Sequence, residues 1–161
     1  MKVATTLNVN GVPIPVEIDP HLSLLRAVRE EVGLTGAKEG CDDSECGACM
    51  MLLDGEPVNS CSYLALQAEG REITTVEGLA PPGELSELQR AFLEQGGVQC
   101  GFCTPGMLIS AVALLRRTPE PSEDDVRIAL GGNLCRCTGY DGIVKAVLAT
   151  ASNSGAPSDS G

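Results

Sequence analysis

The sequence predicts an α+β chain in two halves, strand-rich first and helical second. Three observations carry this. Apolar residues recur at strand spacing in "KVATTLNVN" and "IPVEI", with Asn10-Gly11 between them as a turn signal. After "APPGEL" at 80–85, where two prolines and a glycine interrupt the pattern, the apolar spacing becomes helical. The eight cysteines divide evenly, four on each side of that boundary.

The elements follow in order. The two strands around Asn10-Gly11 form a hairpin. "SLLRAVREEV" is a helix, with Ser23 as N-cap and Leu24, Leu25 and Val28 on one face. "GLTGAKEGCDDSECGACM" is glycine-rich and lacks apolar periodicity, so it is a loop, and it holds three cysteines. "MMLLDGEPVNSC" reads as strand, turn at Asp54-Gly55, and strand; "REITTVEGL" is a further strand. Cap and periodicity signals place helices at about 85–95, 105–117, 122–130 and 141–151. Ser122 and Asp125 make a capping-box-like start, and Glu123, Asp124 and Asp125 suit the positive end of the helix dipole. "SNSGAPSDSG" is small and polar, a disordered tail by composition. The division is therefore a first domain at 1–79, a linker at 80–83, a helical domain at 84–151 and a tail at 152–161.

The helical half holds a weak repeat. "CGFCTPGMLISAVALL" and "CRCTGYDGIVKAVLA" each carry Cys-Thr followed by a helical run. With Thr104 and Thr138 as N-caps and Pro105 at the first helical position, two helices start directly after two cysteine pairs. Both dipole ends then face one point and favour negative charge there.

Composition removes several function classes. The net charge of −11 and 2% aromatic content argue against nucleic acid and against an anionic membrane surface. "MKVATTLNVNG" lacks the apolar run of a signal peptide, and "GMLISAVALL" is about half a membrane span. The expected location is the cytoplasm, where thiols stay reduced, so eight cysteines point to metal rather than to disulfides. The single histidine, His21, reads as a surface or cap residue, which leaves no histidine-based triad or multi-His site. There is no GxGxxG and no Walker A motif, so the chain shows no nucleotide, flavin or substrate signature of its own.

Cys41, Cys46 and Cys49 give C-x4-C-x2-C, with Cys61 twelve positions on, the spacing of a plant-type 2Fe–2S site. Gly36, Gly40 and Gly47, with Ser44 and Ala48, let the loop wrap closely and aim N–H groups at the sulfurs. A zinc ribbon favours two C-x2-C knuckles and fits this loop poorly. Cys100 and Cys103 form C-x2-C, and Cys135 and Cys137 form C-x-C. These four make a tetrathiolate site that, taken alone, is open to zinc as well as iron–sulfur.

The motifs "GCDDSECGAC…C" at 40–61, "QCGFCTPGM" at 99–107 and "GNLCRCTGY" at 132–140 resemble the small iron–sulfur subunit of the molybdenum hydroxylases, the xanthine oxidase and aldehyde oxidoreductase group. The resemblance covers roughly residues 3 to 150. It implies a β-grasp, plant-ferredoxin-like domain followed by an all-α four-helix domain with pseudo-two-fold symmetry. Each would bind one 2Fe–2S cluster, the first on Cys41, Cys46, Cys49 and Cys61, the second on Cys100, Cys103, Cys135 and Cys137.

The family role implied is electron transfer. The helical-domain cluster lies nearest the molybdopterin (molybdenum cofactor) of a large partner subunit, and the other lies toward FAD in a medium subunit. The implied assembly is a heterotrimer, alone or dimerised. Gln99 corresponds to a glutamine that hydrogen-bonds the pterin, and Cys137 to the ligand whose sulfur also contacts it. Ser44 stands where many relatives have glycine, and Met50 where threonine is frequent. The competing readings are an independent two-cluster ferredoxin acting as a soluble carrier, and a structural zinc protein.

Overall fold

The computed structural model of the chain describes residues 1–154. Strands β1 (Val3–Val9) and β2 (Val12–Ile18) pair antiparallel along their whole length, from Val3 opposite Ile18 to Val9 opposite Val12. Asn10 at φ 52° and Gly11 at φ 77° both occupy the left-handed region, the two-residue turn whose twist matches a hairpin. Thr5, Leu7 and Val9 alternate inward along β1, as a half-buried strand requires.

Ser23 caps α1 (Leu24–Arg26) by accepting the Arg26 N–H at 3.3 Å. The expected single helix is only one α turn. It widens into a π turn over Ala27–Glu31 and buries Leu24, Leu25, Ala27 and Val28 against the sheet. β3 (Met50–Leu53) and β4 (Glu56–Asn59) form the second hairpin, and β5 is Glu72–Thr74. The sheet order is β2-β1-β5-β3-β4, with β5 parallel to β1 and antiparallel to β3. Two short 3-10 turns, Ala65–Ala68 and Val76–Gly78, flank β5.

β3 is apolar without alternation because both its faces are covered. Met51 and Leu53 enter the core beneath α1, while Leu52 packs with Ile109 and Ala113 on the other side. Those two residues belong to α3 (Thr104–Arg117), which thereby joins the halves. The remaining helices are α2 (Glu87–Glu94), α4 (Glu123–Ala129) and α5 (Asp141–Ser154). Leu88, Phe92, Met107, Val126, Ile143 and Val147 form a second core among them. Ser86 with Gln89, and Ser122 with Asp125, make complete capping boxes at α2 and α4.

Helices α3 and α5 both start where their periodicity placed them, but neither expected threonine is the cap. Cys103 occupies the cap position of α3, so Thr104 is the first helical residue and Pro105 the second. α5 begins at Asp141, four residues beyond Cys137, because Gly139 (φ 67°) and Tyr140 (φ 70°) both hold left-handed backbone that a right-handed helix cannot include. At its far end α5 runs to Ser154 rather than 151, with the Ser152 hydroxyl donating to the Leu148 carbonyl at 3.1 Å. The rest of the expected tail, 155–161, lies outside the described residues. No helix among the described residues is long and apolar enough to cross a membrane.

Candidate metal centres

The first cysteine group sits on the loop that leads into β3. The backbone N–H groups of Asp43, Glu45 and Cys46 each donate to the Cys41 sulfur at 3.4 Å. Left-handed backbone at Asp42, Ser44 and Gly47 turns these groups inward and makes a nest for negative charge. The same bonds favour the thiolate and lower the Cys41 pKa to about 7. Cys46 neighbours Cys41 in this outer pair.

The inner pair is made by the second hairpin. Cys49 just precedes β3 and Cys61 just follows β4, so strand pairing brings their thiols together. Burial pushes the Cys49 thiol up to about 11. The Ser60 hydroxyl, fully buried, donates to the Cys49 carbonyl. Arg26 clamps the loop from outside, its guanidinium donating to both Glu39 oxygens at 3.1 and 3.2 Å. Ser44 carries a side chain at φ 58°, which explains why glycine suits the position. Its hydroxyl bonds that of Ser62, and its carbonyl accepts from Asn59 Nδ2 at 3.1 Å.

The second group comes from the segments before α3 and before α5. Cys100, Cys103, Cys135 and Cys137 line one cavity of about 410 Å³ with Phe102, Leu134, Arg136 and Tyr140. Cys100 and Cys137 are exposed and adjacent; Cys103 and Cys135 are half-buried and adjacent. Burial pushes Cys103 up to about 12. Burial also acts against the Cys135 thiolate, but the Thr138 hydroxyl at 3.1 Å and backbone N–H groups outweigh it, and the pKa falls. The Cys100 thiol beside it raises Cys137. The Tyr140 hydroxyl accepts the Cys135 N–H at 2.8 Å, and Thr138 Oγ1 accepts the Tyr140 N–H at 3.2 Å. Of the two helix ends expected at this point, only α3 opens directly at a cysteine.

Each group is therefore an outer and an inner pair of thiols. Among the described residues no three Cys, His, Asp or Glu side chains close around a single ion.

The two groups meet directly. The Leu134 N–H donates to the Cys46 carbonyl at 2.9 Å, and Leu134 is bonded to Cys135. Gly106, in the first turn of α3, lies so close that a Cβ there would sit 2.1 Å from the Gly47 carbonyl oxygen.

Residues 7–80 match the 2Fe-2S iron-sulfur cluster binding domain, and residues 75–148 match the 2Fe-2S binding domain found as a separate family. The nicotinate dehydrogenase small FeS subunit of Eubacterium barkeri is 49% identical, over 91% of this chain and 93% of its own length. The chain belongs to the small iron–sulfur subunits of the molybdenum hydroxylases. The crystal structure of quinoline 2-oxidoreductase from Pseudomonas putida 86 superposes with a TM-score of 0.90 at 47% identity, covering 93% of both chains. Aldehyde oxidoreductase from Desulfovibrio desulfuricans ATCC 27774 gives 0.89 at 41% identity, but this chain covers only 17% of that one. The small-subunit fold thus occurs both as a chain of its own size and as part of a much longer one.

Sequence reasoning singled out all eight cysteines, and Gln99, which lies exposed beside exposed Cys100. It missed the partners that orient them: Thr138 as a donor to Cys135, the Tyr140 hydroxyl, and Asn133. "GGN" reads locally as a turn, and no short-range signal announces a contact with Gly47, 86 positions away. His21 is exposed and bonded to Asp19, as a surface residue should be.

Proposed function

We propose that this chain relays electrons between the molybdopterin site of a large subunit and FAD, or another acceptor, through two 2Fe–2S clusters. The observation that carries the reading is the paired arrangement of four thiols in each half, spliced together at Cys46 and Leu134. When bound, each cluster takes up and releases one electron at a time.

Cys41, Cys46, Cys49 and Cys61 would hold the first cluster, and Cys100, Cys103, Cys135 and Cys137 the second. Binding requires the thiolates, so it displaces protons, among them those of buried Cys49 and half-buried Cys103, whose pKa values burial raises. The inward N–H groups at Cys41 and the Thr138 hydroxyl at Cys135 stay in place to receive the cluster's negative charge.

The mixed five-stranded sheet with α1 supports a β-grasp domain over 1–79, and α2–α5 support a four-helix domain over 84–151, joined at 80–83. The exposed pair Cys100 and Cys137, with Gln99, would face the pterin. Around it Phe102 and Leu134 are 47% and 59% exposed, apolar surface suited to burial under the large subunit. A medium FAD-binding subunit would dock at the exposed Cys41 loop, completing a heterotrimer in the cytoplasm.

Purification of the native protein without overexpression tests this. Stable copurification with a large and a medium subunit, and anaerobic reduction of both clusters by nicotinate, xanthine or an aldehyde, is the expected result. A chain that purifies alone and is reduced by unrelated donors would instead be a soluble ferredoxin.

A further inference from the structure

Asn133 is a polar side chain only 2% exposed, and it touches neither cysteine group's sulfurs in any hydrogen bond shown. Its Nδ2 donates to the Gly47 carbonyl at 3.2 Å, and its Oδ1 accepts the Ser110 hydroxyl at 2.7 Å. The Met50 sulfur lies 2.8 Å from the same hydroxyl. One carboxamide therefore ties together the first cysteine loop, the start of β3, the body of α3 and the segment that carries Cys135. Burying such a group is costly unless both its ends are bonded, and here both are.

The adjacent rung is the Leu134 N–H to the Cys46 carbonyl at 2.9 Å. Gly47 follows Cys46 and Leu134 follows Asn133, so the two bonds form a short antiparallel splice between the two cysteine loops. The backbone rung holds only if the loops keep their register. Packing leaves little freedom for another register: a Cβ on Gly47 would lie 2.4 Å from the Gly132 carbonyl oxygen and 2.6 Å from Asn133 Nδ2.

We propose that Asn133 is the positioning residue that fixes the register of the two thiol groups, and with it the Cys46–Leu134 hydrogen bond through which the two centres are coupled. The proposal rests on the two-cluster reading. In the step it would serve, one electron would pass between the cluster that Cys135 would help to hold and the one that Cys46 would help to hold. No bond forms or breaks and no proton moves. Asn133 holds no metal and carries no electron.

The test uses the full chain in its iron-loaded form. Wild type must first show four iron atoms and two EPR signals on reduction; their absence would sink the two-cluster reading itself. Asn133→Leu should keep the iron content and both reduction potentials. The low-temperature splitting between the two signals should shrink, and electron equilibration between the centres after rapid photoreduction should slow about tenfold. Ser110→Ala, which frees only the Oδ1 side, should move both readouts the same way by less. A role in stability alone would lower the melting temperature and leave splitting and rate at wild-type values; that result overturns the proposal. Loss of one cluster in Asn133→Leu also overturns it, because the role would then be assembly. Should Asn133→Leu fail to fold, unchanged splitting and rate in Ser110→Ala overturn it equally.

Discussion

The first cysteine group is held by an irregular loop and a hairpin; the second by two segments that lead into helices. The loop reaches its outer thiol with backbone, three N–H groups on Cys41 at 3.4 Å. The helical half adds a side chain to the backbone donors at its inner thiol, the Thr138 hydroxyl at 3.1 Å from Cys135. Backbone donors are set by chain conformation and survive most substitutions, whereas a hydroxyl is lost with one mutation. Yet both groups end in a similar arrangement: an outer pair, Cys41 exposed with half-buried Cys46 in the first and exposed Cys100 and Cys137 in the second, and a more buried pair inside. Hydrogen bonds to sulfur favour the reduced, more negative cluster, so each set of donors should raise the potential of the centre it serves.

The comparison breaks most severely at the ligands. Cys46→Ala should halve the iron content and erase one EPR signal, and Cys103→Ala should erase the other. Loss of both signals from either variant, in a folded chain, would show that the groups are not independent sites. Gly106→Ala acts on the seam between them. Its Cβ would clash with the Gly47 carbonyl, and overpacking there should cost about 1–3 kcal/mol, read as a lowered thermal unfolding midpoint.

A smaller effect separates the two modes of hydrogen bonding. Thr138→Val should lower the potential of the second centre by tens of millivolts and leave the first unmoved, with Thr138→Ser close to wild type. An equal shift of both centres would contradict the assignment of Thr138 to Cys135. Least is expected of Arg26→Ala, whose bonds to Glu39 and Asp42 are exposed ion pairs. Both clusters should assemble, and only the reactivity of the Cys41 loop toward a thiol reagent in the apo chain should rise.

What the sequence made legible was whatever is encoded locally. C-x4-C-x2-C and the Asn10-Gly11 and Asp54-Gly55 turns are short-range patterns, and each lies where it was expected. Ser122 and Asp125 likewise form the capping box that their spacing announces. The start of α5 at Asp141 was legible from its periodicity, but its separation from Thr138 was not, because Tyr140 at φ 70° defies its residue type; its hydroxyl bond to the Cys135 N–H accompanies that conformation. The clasp at Asn133 was not legible either, since it joins positions 47, 110 and 133 and exists only once α3 lies against β3. The π turn over Ala27–Glu31 replaces a regular helix whose apolar spacing looked ordinary. Ligand identity is local, and ligand placement is tertiary.

The central claim is that each half carries one 2Fe–2S cluster. Metal and sulfide analysis of the natively purified chain, joined to an EPR-monitored reductive titration, tests it most directly. The expected result is four iron and four inorganic sulfide per chain, no zinc, and two signals on reduction, one of them lost in Cys46→Ala. A colourless chain loaded with zinc, or a single signal with two iron atoms, would contradict it.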